Sequence, residues 1–123
     1  MNGKYVIIAL CIAALVLSSC AYSKNLWFSF QPMQCEKTPW EEWYSEGHVQ
    51  FVKAPTEEQL ITTYFSNASS IEVIGFRRIT VPEGTAVCDA CNTCPQGYHI
   101  EVLVKGSLSK NMKSLGWTMI PEK

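Results

Sequence analysis

Tyr98-His99-Ile100-Glu101-Val102-Leu103-Val104-Lys105 is the stretch that decides the fold. Ile100, Val102 and Val104 fall on one side of a strand, and His99, Glu101 and Lys105 mostly on the other. Such alternation belongs to a sheet with one packed face and one open face. The residues that follow supply cover for the packed face. Gly106-Ser107 opens a helix with Leu108, Met112 and Leu115 along one stripe, ended by Gly116. Trp117 to Ile120 then reads as a short last strand.

Upstream of the same stretch, Ile71 to Val81 is rich in β-branched residues and reads as a strand, with Gly75 marking a bulge or bend. Pro82-Glu83-Gly84 is a turn. Thr56-Glu57-Glu58-Gln59 has the form of a capping box. The helix it opens carries Leu60, Ile61, Tyr64 and Phe65, with Asn67 as its stop. His48 to Lys53 alternates with Val49 and Phe51 on one side, a strand period. Thr38-Pro39-Trp40-Glu41 starts a short helix over 39–46 that ends at Gly47. The order from His48 onward is strand, helix, strand, strand, helix, strand. It predicts a ferredoxin-like βαββαβ sandwich of the α+β class, with an antiparallel sheet and two helices on one face. In that arrangement the first and third strands are expected side by side and parallel.

The chain has 123 residues and a formal charge of -1. That length holds one domain, and that charge offers no basic field for nucleic acid and no polybasic run for a membrane. Four Trp, five Tyr and five Phe argue for a folded domain rather than a disordered one. There is no Ser-His-Asp ordering, phosphate-binding glycine loop or His-Glu-x-x-His run, so no enzyme is expected beyond thiol chemistry.

The first residues carry a different kind of signal. Lys4 precedes an unbroken apolar run from Tyr5 to Leu17, too short to span a bilayer comfortably and of the length of a signal core. Leu17-Ser18-Ser19-Cys20 follows. It resembles the lipobox of prokaryotic lipoproteins, whose cysteine is thioether-linked to diacylglycerol and becomes the first residue after cleavage. The resemblance covers about the first twenty residues. It implies a cleaved signal helix over 1–19, lipidation of Cys20 with palmitate-type acyl chains, and a membrane partner for the protein through that lipid. Ala21 stands where an Asp would resemble an inner-membrane retention signal. The implied location is therefore extracytoplasmic, at the outer membrane or cell surface. Two or more acyl chains suffice for stable anchoring. Residues 20–37 are expected as the lipidated tether. Within it, Leu26-Trp27-Phe28-Ser29-Phe30 is too apolar for a free linker and is expected to add an edge strand or lie against the domain. Residues 38–123 are expected as the domain, with a cysteine-rich loop at 88–95.

Cys35, Cys88, Cys91 and Cys94 remain, in a compartment where disulfides persist. Four cysteines allow three pairings, and the sequence does not choose among them. One bond would join Cys35 to the loop, and closing roughly fifty residues stabilises by about 4 kcal/mol through loop entropy. The alternative is a metal or redox centre. Cys88-x2-Cys91-x2-Cys94 resembles the ligand run of bacterial ferredoxins, which implies an iron–sulfur cluster with Cys35 as the fourth ligand. Pro95 directly follows Cys94, however, and the leader lacks the twin arginines of proteins exported with a cluster in place. Zinc binds after export and is the other metal choice. A redox cysteine needs a nearby cation or helix start, and Asp89 is the wrong charge. In the expected topology His48 and His99 both begin strands beside the cysteine loop. With Glu101 they become accessory ligands of one polar edge for a metal or small ligand. The rival is a set of solvent-facing residues on an open sheet. Weighing these, the expectation is a non-catalytic binding or assembly module with no cofactor, a disulfide-stapled loop and an envelope protein as partner.

Overall fold

The computed structural model describes residues 3, 7, 8, 24–82, 90, 91 and 93–122. Cys20 and Cys88 lie outside the described residues, as does most of the leader. The chain forms an α+β domain. Strand β1 is Asn25–Phe30, helix α1 Pro39–Ser45, and helix α2 Glu57–Ser69. Strand β2 is Gly75–Thr80 and strand β3 Tyr98–Lys105. A 3-10 turn over Gly106–Leu108 leads into helix α3, Ser109–Ser114, and strand β4 is Thr118–Met119. The four strands make one sheet in the order β2-β3-β1-β4, every neighbouring pair antiparallel.

The first strand is not where the alternation of 48–53 put it. His48 to Lys53 forms no strand, and its Val52 is fully exposed. Phe51 instead packs edge-on against Tyr44, 5.8 Å between ring centroids, so its apolar side serves the helix layer. The strand comes from the segment expected as tether. Asn25–Phe30 lies in the middle of the sheet, with β3 on one side and β4 on the other. Its alternation explains this, since Leu26, Phe28 and Phe30 face Val104, Val102 and Ile100 across the ladder. Phe28, Ile100, Val102 and Val104 are all completely buried. The neighbour of β3 is therefore Asn25–Phe30 and not His48–Lys53, and the pair runs antiparallel rather than parallel.

Both capping boxes form. The Thr38 hydroxyl accepts from the Glu41 N–H, and the Glu41 carboxylate accepts from the Thr38 N–H at 2.8 Å. Thr56 and Gln59 repeat the exchange at 3.2 and 3.0 Å. Helix α1 stops before Gly47, whose φ of 84° is left-handed and costs glycine little. Helix α2 runs past Asn67 to Ser69, and Ser70 takes the left-handed cap at φ 53°. Gly75 begins β2 instead of bending it. A Cβ there would sit 3.1 Å from the Trp27 ring and from the Leu103 side chain, so close packing against β1 and β3 is its reason.

The helices cover the sheet face that carries Phe28 and Val102. Leu60, Ile61 and Phe65 of α2, Met112 of α3, Trp40 of α1 and Trp117 are buried with them. Phe30, Trp40, Phe65 and Trp117 form an aromatic group with centroid separations of 5.1 to 5.8 Å. Each such side chain contributes about 1.5–3 kcal/mol by leaving water. The Trp40 indole N–H is buried without a hydrogen-bond partner, an opposing cost of about 1–3 kcal/mol.

Candidate functional site

Past Phe30 the chain keeps company with β3 beyond the sheet's regular ladder. The Gln96 N–H donates to the Pro32 carbonyl and the Gln34 N–H to the Cys94 carbonyl, both at 2.9 Å. Met33 pairs with Pro95 between them. The Gln31 side-chain amide donates to the Tyr98 carbonyl at 2.9 Å, and that of Gln34 to the Pro95 carbonyl at 3.3 Å. These bonds carry the chain to Cys35, which turns with a left-handed φ of 58°. Its sulfur is bonded to Cys91, with Cα atoms 5.1 Å apart and a sequence separation of 56. The disulfide thus ties the extension of β1 to the loop between β2 and β3.

Cys94 is a third oxidised cysteine. The two sulfur positions differ in access. Cys35 and Cys91 are exposed, while Cys94 is 1% exposed. Oxidised sulfurs are not thiolate ligands, and no group of three or more His, Cys, Asp or Glu among the described residues is placed to hold a metal ion. Beside Cys35, a shallow groove is lined by Phe30, Pro32, Met33, Lys37, Thr38 and Glu42.

His99 and Glu101 do meet, on the open face of the sheet. Glu101 is 9% exposed, and its carboxylate accepts from Arg77 at 2.8 Å and lies 3.4 Å from His99 Nε2. The Arg77 guanidinium also lies 3.7 Å from the centre of the Trp27 ring. His48 does not join them. It stacks on Trp43 of α1 at 5.6 Å and bonds Glu46 at 2.8 Å. Trp43 in turn touches Tyr64 of α2, so His48 belongs to the helix layer on the other side of the sheet. The polar edge of two histidines presupposed a strand at 48–53, which does not form.

Arg77 and Arg78 are not among the candidate site residues read from the sequence. They sit side by side on the edge strand β2 and point to opposite faces. Arg78 lies 3.7 Å from the Tyr98 ring centre and bonds Glu57 at 2.9 Å, a mirror of what Arg77 does with Trp27 and Glu101. Charged side chains on both faces of an edge strand discourage pairing with a foreign strand. Two adjacent cations inside a β-branched run were the available signal. Burial raises the Tyr98 hydroxyl above its ordinary pKa, and the Glu57 carboxylate adds to this while Arg78 opposes it. Burial alone raises Tyr64.

Among the described residues, no helix is long and apolar enough to cross a membrane. Compared with protein-family models, curated proteins and solved structures, the chain has no match.

Proposed function

We propose that this chain is a lipid-anchored protein of the cell envelope, held by acylated Cys20, whose stapled end serves as a non-catalytic module for binding or assembly with an envelope protein. The observation that carries the reading is the Cys35–Cys91 disulfide. A bridge of this kind persists outside the reducing cytosol, which agrees with the export signal read from Tyr5 to Cys20. In this reading Cys94 is bridged to Cys88, so that two crossed bonds tie a short loop. A fixed loop loses little conformational entropy on meeting a partner, and that favours a binding role for the cysteines. No cofactor is part of the reading, since zinc or iron–sulfur ligation would need these sulfurs as thiolates. The strand order β2-β3-β1-β4 with helices following β1 and β3 supports a ferredoxin-like sandwich in which Asn25–Phe30 is the first strand. Such a sandwich is a scaffold and does not by itself specify a partner.

The anchor is tested by growing cells with labelled palmitate. The protein is expected to take up label and to stay with membranes through an alkaline wash. Cys20→Ala is expected to lose both. Equal labelling of the two forms, or a wild-type protein found in the soluble fraction, would overturn the proposal.

A further inference from the structure

We infer that the end of the domain bearing Lys24, Lys105 and Lys110 rests on an anionic lipid headgroup layer, with the disulfide end turned away from the bilayer. The inference rests on the anchoring of Cys20 proposed above. The fold brings Lys24 to Lys105 from a distant part of the sequence. Asn25 stands opposite Lys105 in the ladder, and the Gly106 N–H donates to the Lys24 carbonyl at 2.8 Å. Lys110 lies in the first turn of α3, immediately after the 3-10 turn that Gly106 begins. All three lysines are exposed, as is Lys113 in the last turn of the same helix.

Among the described residues, two carboxylates share this end. Glu122 pairs with Lys24 at 2.6 Å, and Glu72 sits on the connection into β2. That leaves the end positive. The opposite charge collects elsewhere: Glu36, Glu41, Glu42, Glu46 and Glu58 are exposed on and around α1 and the start of α2, with Lys37 and Lys53 the exposed cations near them. Arg77 and Arg78 are taken up by Glu101 and Glu57. The domain is therefore electrically polarised, and a negative surface attracts one end and repels the other.

Chain length brings the positive end to the lipid. From Cys20 to Asn25 the chain spans at most about 18 Å when fully extended. Lys24 is closer still, within reach of headgroups around an acylated Cys20. The screening length at physiological salt is about 8 Å, so only charges held this near are felt. Met33, Pro95 and the Cys35–Cys91 bridge lie past the other end of β1 and β3, roughly 30 Å from Lys105 along the strand. The stapled loop is thereby presented outward.

The test uses the acylated protein purified from membranes and bound to two kinds of vesicle, neutral phosphatidylcholine alone or mixed with anionic phosphatidylglycerol. Lysines are labelled with an amine-reactive ester and quantified by peptide mass spectrometry. Lys24, Lys105 and Lys110 are expected to react about fivefold less on anionic than on neutral vesicles. Lys37 and Lys53 are expected to react equally on both. The protection should vanish at about 1 M salt, where the screening length falls to about 3 Å. Lys105→Gln with Lys110→Gln, both exposed, should remove the protection of Lys24. Flotation with both vesicles but equal labelling of all five lysines would overturn this inference alone. Failure to float even with neutral vesicles would overturn the anchor, and the inference with it.

Discussion

In the sheet core Phe28, Val102 and Val104 of β1 and β3 are buried with Ile61, Met112 and Trp117, whereas in the extension past Phe30 the chain is held by a few backbone hydrogen bonds and by sulfur. The first region owes its order to apolar area removed from water, which is cooperative across the whole core. The second has little such area. Cys35, Cys91, Thr93 and Pro95 are exposed, and Cys94 is the one of these that is buried. A covalent tie does there what packing does elsewhere, by limiting the unfolded chain. The comparison teaches that the core and the stapled extension answer to different perturbations: a reductant reaches the extension, a cavity the core.

Three changes press on that difference, in falling order of effect. Replacing Cys35 and Cys91 together by serine opens a loop with a sequence separation of 56. The unfolding free energy is expected to drop by about 4 kcal/mol in urea titration. Amide exchange should rise first at 31–35 and 93–97, while Phe28 and Val102 stay protected. An unchanged midpoint would mean that the end is held by something other than its bridge.

Ile61→Ala works from the other side. Ile61 is completely buried against the sheet, and its truncation should cost about 3 kcal/mol, with exchange rising through β1 and β3 alike. A loss confined to α2 would contradict a shared core.

The smallest effect is alkaline. Tyr98 and Tyr64 have pKa values raised above the ordinary 10.0 by burial, so the folded state holds their protons more tightly than the unfolded state. Stability from this source is complete below the ordinary value and is lost as pH rises through the higher folded one. Phenolate absorbance of the native protein should show two late-titrating tyrosines that titrate normally in urea. Coincident native and denatured curves would remove the effect.

Much of this was legible in the chain. Thr38 with Glu41 and Thr56 with Gln59 announced both helix starts, because a capping box is a local arrangement that needs nothing from the rest of the fold. Ile100, Val102 and Val104 announced the packed face of β3. What escaped was long-range. Leu26 to Phe30 reads as too apolar for a free tether, but its place in the middle of the sheet rather than at the edge is set by ladder partners seventy to eighty positions away in sequence. His48 looked like a strand residue because Val49 and Phe51 flank Gln50, yet two apolar residues are too few to claim a place in a sheet when Tyr44 offers Phe51 a ring to pack on. The nearness of Lys24 to Lys105 was invisible for the same reason, since it arises only when β1 pairs with β3.

The most direct test is the intact mass of the protein taken from cells, alkylated under denaturing, non-reducing conditions. The account predicts a chain that begins at Cys20, carries diacylglycerol and acyl mass, and takes up no alkylating agent at Cys35, Cys88, Cys91 or Cys94. A chain that begins at Met1 without lipid and is alkylated at those four cysteines would contradict it.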